Sequence, residues 1–312
     1  MLRIEGLMKK SAYTRRSGPP KARAGNRRDG KALIKRSPKQ KSKAESSGAR
    51  MLTVLGLFTI ESPEWTVEEA AENLGASVST TYRYFKALTK VGLLSPVSRA
   101  GYMLGPAIIE LDRQIQMCDP MLRAARGVMA DLIGYAPEEA IILLCQLFHN
   151  RVICVHQVFG RGPHEPVSYE RGRPMPLFRG ATSKIILANL PPHTLKALFA
   201  KRAQEIAAAG LGDNWDAFKR ALAALRRDGV CITKGEIDAG RVGIAAPIFD
   251  QERAILGSLS FVLPVAQADD TRIARLVPLT VAGAREIDQA MIAATTQQRP
   301  DTSTLKRTKI AA

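Results

Sequence analysis

Residues 66–92 read TVEEAAENLGASVSTTYRYFKALTKVG, and this stretch decides the class of the N-terminal domain. Thr66 and Glu69 have the T-x-x-E spacing of a capping box, which predicts that a helix begins directly after Thr66. Gly75 can end that helix in the left-handed conformation. Ser77 can cap a second helix that runs almost to the end of the stretch. Two short helices joined by a tight turn form a helix-turn-helix.

The second helix has two chemically different faces. Residues at spacings of three and four predict a face that contacts the core, namely Val78, Thr81, Phe85 and Leu88. The opposite face is polar and basic, and it carries Ser79, Arg83, Lys86 and Lys90, with Thr80 beside Ser79. Serine, threonine and arginine reach base edges and phosphates, and a recognition helix presents them near its N-terminal end. The alternative is an ordinary solvated helix face. The candidate DNA-binding residues on this helix are Ser77, Ser79, Thr80, Arg83 and Lys86.

A short hairpin is predicted after the helix-turn-helix. Residues 93–97 and 102–104 are short β-type runs on either side of a turn that contains Arg99. A hairpin in this place is typical of a wing, so Arg99 is a further candidate DNA-binding residue. Residues 106–134 then return to helical spacing, with a break at Pro120. Their apolar residues exceed what one small winged domain needs, which predicts linker helices that also pair with a second subunit.

Residues 135–295 predict one α/β effector domain. Strands are predicted at 139–148, 151–159, 230–233, 241–249 and 255–263, and helices at 192–200, 214–228 and 269–294. Locally paired strands with helices packed over them favour an antiparallel-rich sheet over a doubly wound parallel sheet. The predicted fold class is therefore α+β, with a winged helix-turn-helix at 49–105, linker helices at 106–134 and an α/β domain.

The positive charge of the chain is concentrated at its ends. The 312 residues include 46 lysines and arginines against 29 aspartates and glutamates, a formal net charge of +17. Residues 1–50 account for +13, whereas residues 51–295 account for only +1. We predict disordered basic tails at 1–48 and 296–312, because they cannot bury enough apolar surface to fold. The longer tail is either a solvated leader or an arm that binds nucleic acid by releasing counterions.

Several classes of protein are excluded by the sequence. It has no run of about 18 apolar residues, so we expect neither a transmembrane helix nor a membrane partner. The basic N-terminus lacks the apolar segment of a secretory signal, and the four cysteines show no C-x-x-C spacing, so a cytoplasmic protein is expected. Because Ser-His-Asp, HExxH, GxGxxG and Walker A patterns are missing, we predict no enzyme and no cofactor.

One group of residues could bind a metal ion. If the first predicted hairpin of the α/β domain has a two-residue turn, Cys145 lies opposite Cys154 and Leu143 lies opposite His156. The two cysteines and His156 could then share one face, as in a metal or redox sensor. The alternative is that both cysteines fill an apolar face as small hydrophobic residues. Because no fourth ligand is evident, we favour the alternative and predict no metal site.

The order of these domains resembles the IclR family of bacterial transcription regulators. The resemblance covers residues 49–294 and rests on four segments with the right order and spacing. These segments are RMLTVL at 50–55, LGASVSTTYR at 74–83, GYMLGP at 101–106, and Gly235-Glu236 followed by Gly240 and AAPIFD at 245–250.

The resemblance implies a GAF-like C-terminal domain that binds a small effector, often an organic or aromatic acid. It also implies dimers or tetramers that bind palindromic double-stranded DNA operators. The effector pocket of such a domain is lined by a loop, here 176–184, and by two strands. In this chain those segments contribute Ala181, Thr182, Ser183, Pro247, Ser258 and Ser260. Small residues and hydroxyls suit a small polar ligand, and the basic residues around the loop could attract a carboxylate. Alternatively, the serines only permit close packing.

A second class of function remains open at this point. An architectural DNA-binding protein could use the basic tail without sequence specificity. Such a protein has no use for an effector-sized α/β domain, so the sequence favours a sequence-specific regulator controlled by a small metabolite.

Overall fold

The computed structural model describes residues 46–97, 100–149, 151–164 and 167–297. These residues form two compact units that divide between Ile108 and Ile109, which we call the winged-helix unit and the α/β unit. Most of both predicted tails lies outside the described residues. The described structure nevertheless extends a few residues into each of them, because the first helix begins at Ser47 and the last helix ends at Gln297.

The winged-helix unit combines helices with a small antiparallel sheet. Its elements are α1 (Ser47–Thr53), α2 (Val67–Leu74), α3 (Val78–Lys90), β1 (Trp65–Thr66), β2 (Leu94–Pro96) and β3 (Gly101–Leu104). Strand β3 lies between β1 and β2 and pairs with both. The predicted helix-turn-helix and hairpin are confirmed. Strand β1 was not predicted, because two residues are too few to show an alternating pattern.

Local side-chain chemistry sets the helix ends in this unit. The hydroxyl of Thr66 accepts a hydrogen bond from the Glu69 amide at 3.2 Å, and the Glu69 carboxylate accepts one from the Thr66 amide at 3.1 Å. Gly75 ends α2 in the left-handed region with φ 61°. The hydroxyl of Ser77 accepts a hydrogen bond from the Thr80 amide and so caps α3. The turn between α2 and α3 is thus fixed by the residues that predicted it.

The predicted inner face of α3 needs one correction. Thr81, Phe85 and Leu88 are buried against the core of the unit, as expected. Val78 is 49% exposed. It is the first residue of the helix, and the apolar spacing that places it on the inner face does not show how far the core extends toward the helix end.

The α/β unit is built on a six-stranded sheet in which every pairing is antiparallel. Its strands are β4 (Ile141–Phe148), β5 (Arg151–Phe159), β6 (Pro174–Met175), β7 (Cys231–Lys234), β8 (Arg241–Phe249) and β9 (Ile255–Pro264), in the order β6-β5-β4-β9-β8-β7. The remaining helices are α4 (Ala107–Cys118), α5 (Pro120–Leu132), α6 (Ala181–Ala188), α7 (Pro192–Ala208), α8 (Trp215–Asp228) and α9 (Asp270–Gln297). The predicted α+β class with an antiparallel sheet is confirmed.

Apolar layers cover both faces of this sheet. On one face, α5 and α9 pack against alternate residues of the central strands, including Leu144, Ile244 and Phe261. On the other face, α6, α7 and α8 cover the opposite set of side chains, including Leu143 and Cys145. A strand buried on both faces reads as a continuous apolar run. This explains why the sequence identified these strands by composition rather than by alternation.

Helix α6 corrects the prediction of a loop at 176–184. All eight of its residues are buried, including Thr182, Ser183 and Lys184. A helix that is buried all round has no polar face and therefore shows no amphipathic period. The candidate effector residues Ala181, Thr182 and Ser183 thus form the first turn of a buried helix.

Candidate functional site

The exposed face of α3 is the candidate DNA-binding surface. Ser79, Arg83 and Lys86 are exposed along it, as predicted. Ser77 has a second role as a cap, because its hydroxyl also lies within hydrogen-bond distance of the Thr80 hydroxyl at 2.9 Å and the Ser79 hydroxyl at 3.2 Å. The face therefore offers the exposed Ser79 hydroxyl near the start of the helix and the cations of Arg83 and Lys86 about one and two turns further along.

Tyr82 is a further exposed residue on this helix that the sequence reasoning missed. Its side chain is 53% exposed, and Val78 lies one turn before it. Large apolar groups on a recognition helix can contact thymine methyl groups. The sequence could have indicated both residues, because Val78 and Tyr82 lie directly before Ser79 and Arg83 and share their helical spacing. Arg99, the candidate residue of the wing, lies outside the described residues.

Helix α6 begins at a glycine that the local structure requires. Gly180 has φ +81°, and a Cβ placed there would lie 2.9 Å from the Ile237 side chain. The amide of Gly180 donates to the Glu236 carboxylate at 2.9 Å, and the amide of Ala181 donates to the Thr233 hydroxyl at 3.0 Å. Groups from the sheet edge thus fix where the helix starts.

Glu236 also forms an ion pair beneath this helix. The Lys184 ammonium lies 2.6 Å from the Glu236 carboxylate, and the lysine side chain is only 11% exposed. One carboxylate therefore satisfies both a helix amide and a nearly buried cation. The first turn of α6 is held in one position by polar contacts as well as by packing.

A cavity of about 30 Å³ lies beside this first turn. Its polar lining includes Tyr169, Thr182, Ser183, Glu236, Asp238 and Arg241. The Ser183 hydroxyl is buried and has no hydrogen-bond partner within the described ranges of the chain. Burial raises the pKa of the Tyr169 phenol, and the neighbouring Asp238 carboxylate raises that pKa further. The cavity thus combines buried hydroxyls, two carboxylates, a nearly buried guanidinium and the first turn of a helix.

The other candidate effector residues, Pro247, Ser258 and Ser260, do not line this cavity. The hydroxyls of Thr182 and Ser260 are 2.9 Å apart, and the Ser258 hydroxyl donates to the Thr182 carbonyl at 3.3 Å. Pro247 lies opposite Ser258 in the sheet. The serines of β9 therefore join α6 to the sheet, and the cavity adjoins only the α6 side of this cluster.

Several residues of the cavity were not predicted. Tyr169 lies far in the sequence from Asp238 and Arg241, and the Ser168 amide joins the two segments by donating to Asp238 at 2.9 Å. A signal was available for part of this set, because Gly235-Glu236 belongs to the segments that carry the family resemblance. The polar residues of the loop that contains Gly235 and Glu236 are those that converge on α6.

Cys145, Cys154 and His156 are the residues that could have bound a metal ion. A bulge in the β4–β5 hairpin separates His156 from the two cysteines. Cys145 pairs with Cys154, as predicted, but the register shifts so that Leu144, not Leu143, lies opposite His156. His156 therefore shares a face with Leu144, away from both cysteines. Burial lowers the pKa of His156, and Arg126 and Arg171 lower it further. Within the described part of the chain, no cluster of three metal-ligating side chains is present.

Comparisons with known proteins identify both units. The family model "IclR helix-turn-helix domain" matches residues 48–98, and "Bacterial transcriptional regulator IclR C-terminal" matches residues 119–289. The regulator KipR of Bacillus subtilis is 25% identical over 214 residues, which cover 68% of this chain and 83% of KipR. The repressor IclR of Escherichia coli is 22% identical over 248 residues, which cover 73% of this chain and 86% of IclR.

Solved structures share the fold. An IclR homolog from Microbacterium hydrocarbonoxydans, complexed with 4-hydroxybenzoate, has a TM-score of 0.63 and 22% identity, covering 80% of this chain and 100% of the homolog. An IclR transcriptional regulator from Alicyclobacillus acidocaldarius has a TM-score of 0.63 and 21% identity, covering 78% of this chain and 98% of that regulator.

The two matched models, a helix-turn-helix domain followed by a regulator's C-terminal domain, place the chain among DNA-binding transcription regulators. The matched family model covers more than half of the chain. The chain belongs to the IclR family of bacterial transcription regulators. Among its described helices, none is both long enough and apolar enough to cross a membrane.

Proposed function

We propose that this cytoplasmic protein binds a specific double-stranded operator through α3 and the wing, and that a small organic acid controls this binding from the cavity beside α6. The observation that marks the cavity as a ligand site is the buried Ser183 hydroxyl, which lacks a partner in the described part of the chain. The choice of an acid rests on the first turn of α6 and on Arg241, since helix N-termini and guanidinium groups both favour a carboxylate. The two carboxylates of the lining already have partners, because Glu236 pairs with Lys184 and Asp238 accepts a hydrogen bond from the Ser168 amide.

The size of the cavity adds a condition to this proposal. About 30 Å³ is room for little more than one water molecule, so an organic acid can enter only if the lining moves. Helix α6 and the central strands are buried and tightly packed. The irregular segments 167–173 and 235–240 are therefore the parts of the lining that can separate, since both lie outside helices and long strands.

We expect a carboxylate ligand to raise the thermal stability of the protein. The Microbacterium homolog was solved with 4-hydroxybenzoate, so this acid is the first probe. At one hundred times its dissociation constant, a ligand that binds only the folded state stabilises that state by about 2.7 kcal/mol, which is several degrees in Tm. A thermal-shift screen of simple and aromatic carboxylates, with their amides as neutral counterparts, measures this directly.

Two hydroxyl variants locate the site of any acid that binds. Ser183→Ala removes a hydroxyl from the cavity, and we expect it to weaken binding by about 1 kcal/mol, the usual net contribution of one hydrogen bond. Thr280→Val is the control, because this buried threonine bonds only to the Leu276 carbonyl of its own helix and does not line the cavity. Equal loss in both variants, or equal binding of acids and amides, would contradict the proposed carboxylate site.

Arg83 is expected to contribute directly to operator affinity. Its side chain is exposed on α3, one turn beyond Ser79. Arg83→Ala should cost about 1–3 kcal/mol of binding free energy, the usual value of one good base or phosphate contact. The measurement is a titration against an operator selected from random duplexes. Arg220→Ala, an exposed arginine of α8, removes the same charge elsewhere and should leave affinity unchanged. Full affinity in a folded Arg83→Ala protein would exclude this role.

A homodimer, or a tetramer built from dimers, completes the proposal. Helix α4 buries none of its residues and exposes four large apolar side chains, with Leu111 and Ile115 one turn apart on one side and Ile109 and Met117 on another. Ile109 alone is 74% exposed, and exposed apolar surface of this extent marks an interface. We expect Ile115→Asp to shift the molecular mass in light scattering toward the monomer, whereas Arg113→Asp on the same helix should not. An unchanged mass for Ile115→Asp would exclude α4 from the interface.

A further inference from the structure

Arg171 joins the linker helix α4 to the sheet of the α/β unit. Its guanidinium forms an ion pair with the Asp112 carboxylate of α4. The same guanidinium donates to the Val155 carbonyl in β5 at 2.9 Å, and the Arg171 amide donates to the Gln157 side chain at 2.9 Å. Because β5 holds Arg171 through two separate hydrogen bonds, the direction in which it reaches Asp112 is fixed.

The segment that carries Arg171 also lines the cavity. Tyr169, two residues earlier, is buried in the cavity wall. The amide of Ser168 donates to Asp238, another lining residue, at 2.9 Å. Only two peptide units therefore connect Tyr169 in the cavity wall to Arg171, which contacts α4. A displacement of Tyr169 must be absorbed within these few bonds or passed on to Arg171.

Helix α4 is positioned by polar contacts. It has no buried residue, so core packing does not fix it within the described structure. Asp112 binds Arg171, and one turn later the Arg126 guanidinium donates to the Gln116 carbonyl at 2.6 Å and to its side-chain oxygen at 3.1 Å. These contacts lie on one face of the helix. Since the chain passes from the winged-helix unit into the α/β unit through α4, they control the segment that connects DNA binding to the rest of the protein.

We propose that Arg171 is a positioning residue that couples occupancy of the cavity to the position of α4. The inference rests on the proposed function, because it assumes a ligand in the cavity. The Asp112–Arg171 pair is partly exposed on both sides and adds little to stability, so its contribution is geometric. A ligand too large for the cavity displaces the segment of Tyr169, and Arg171 transmits that displacement to Asp112. The ligand thereby favours one arrangement of α4 over another.

The first test needs no ligand and measures amide hydrogen exchange in the full chain. Arg171→Gln should raise the exchange rate of α4 by up to about fivefold, the most that a partly exposed ion pair contributes. Asp112→Asn should raise exchange in the segment 167–173 in return, because coupling is reciprocal. Arg173→Gln, two residues further along, is the matched control and should leave α4 unchanged. Unchanged α4 exchange in Arg171→Gln, or an equal rise in Arg173→Gln, would overturn the proposal.

The second test uses 4-hydroxybenzoate as the probe. In the wild type, the acid should raise Tm and change the exchange of α4. In Arg171→Gln, the Tm shift should persist while the response of α4 is lost, which a merely structural role would not produce. Persistence of the α4 response in this variant, or loss of both effects, would overturn the coupling role. If no carboxylate shifts the Tm of the wild type, the proposed acid effector is contradicted. The hydrogen exchange measured without ligand then decides by itself whether Arg171 positions α4.

Discussion

Glu236→Ala is expected to destabilise the α/β unit by about 3 kcal/mol, because removing one partner of a buried ion pair leaves an uncompensated charge. The charge left behind is Lys184, whose side chain is 11% exposed. The Gly180 amide loses its acceptor at the same time. We place the effect at the lower end of the usual range because Glu236 itself is partly exposed. Urea unfolding followed by fluorescence of Trp215, in a Trp65→Phe background, reports on this unit alone.

Two companion variants test the cause of the effect. The double variant Lys184→Met with Glu236→Leu replaces the pair by apolar groups of similar size, and it should recover most of the lost stability. Asp216→Asn breaks the exposed pair with Lys219 and should leave the unfolding midpoint nearly unchanged. If Glu236→Ala unfolds at the wild-type midpoint, or if the double variant is no better than the single one, the ion pair does not hold α6 as we describe.

Helices whose ends are set by residues close in the sequence could be predicted from the sequence. The capping box of Thr66 and Glu69, the glycine at 75 and the cap at Ser77 act between residues at most four positions apart, so the sequence contains the whole interaction. Helix α6 has no such signal, because its N-cap residue is Gly180 and all its residues are buried. The bulge between Leu144 and Cys145 is likewise a property of strand pairing, and apolar residues on both sides conceal it.

The same difference between local and long-range contacts applies to the two candidate sites. The exposed residues of α3 could be predicted, because one helix carries them all at a regular spacing. The cavity could be predicted only in part. Thr182 and Ser183 were identified through the resemblance, whereas Tyr169 and Asp238 meet through a contact between residues 70 positions apart in the chain. Contacts of this range depend on the completed sheet, which residue spacing does not reveal.

Deletion of residues 1–45 is expected to flatten the dependence of operator affinity on salt while preserving the preference for operator over random DNA. This segment contains 15 basic and 3 acidic residues, and such an excess of cations neutralises phosphates whatever the base sequence. For each phosphate that the shortened protein no longer neutralises, the slope of log K against log salt should fall by about 0.9. The deletion keeps Ser46, whose hydroxyl accepts a hydrogen bond from the Ala49 amide and caps α1.

A variant of full length with glutamine at the basic positions of the segment separates charge from chain length and should behave like the deletion. An unchanged slope would mean that the tail does not contact DNA, whereas loss of operator preference would mean that it reads sequence.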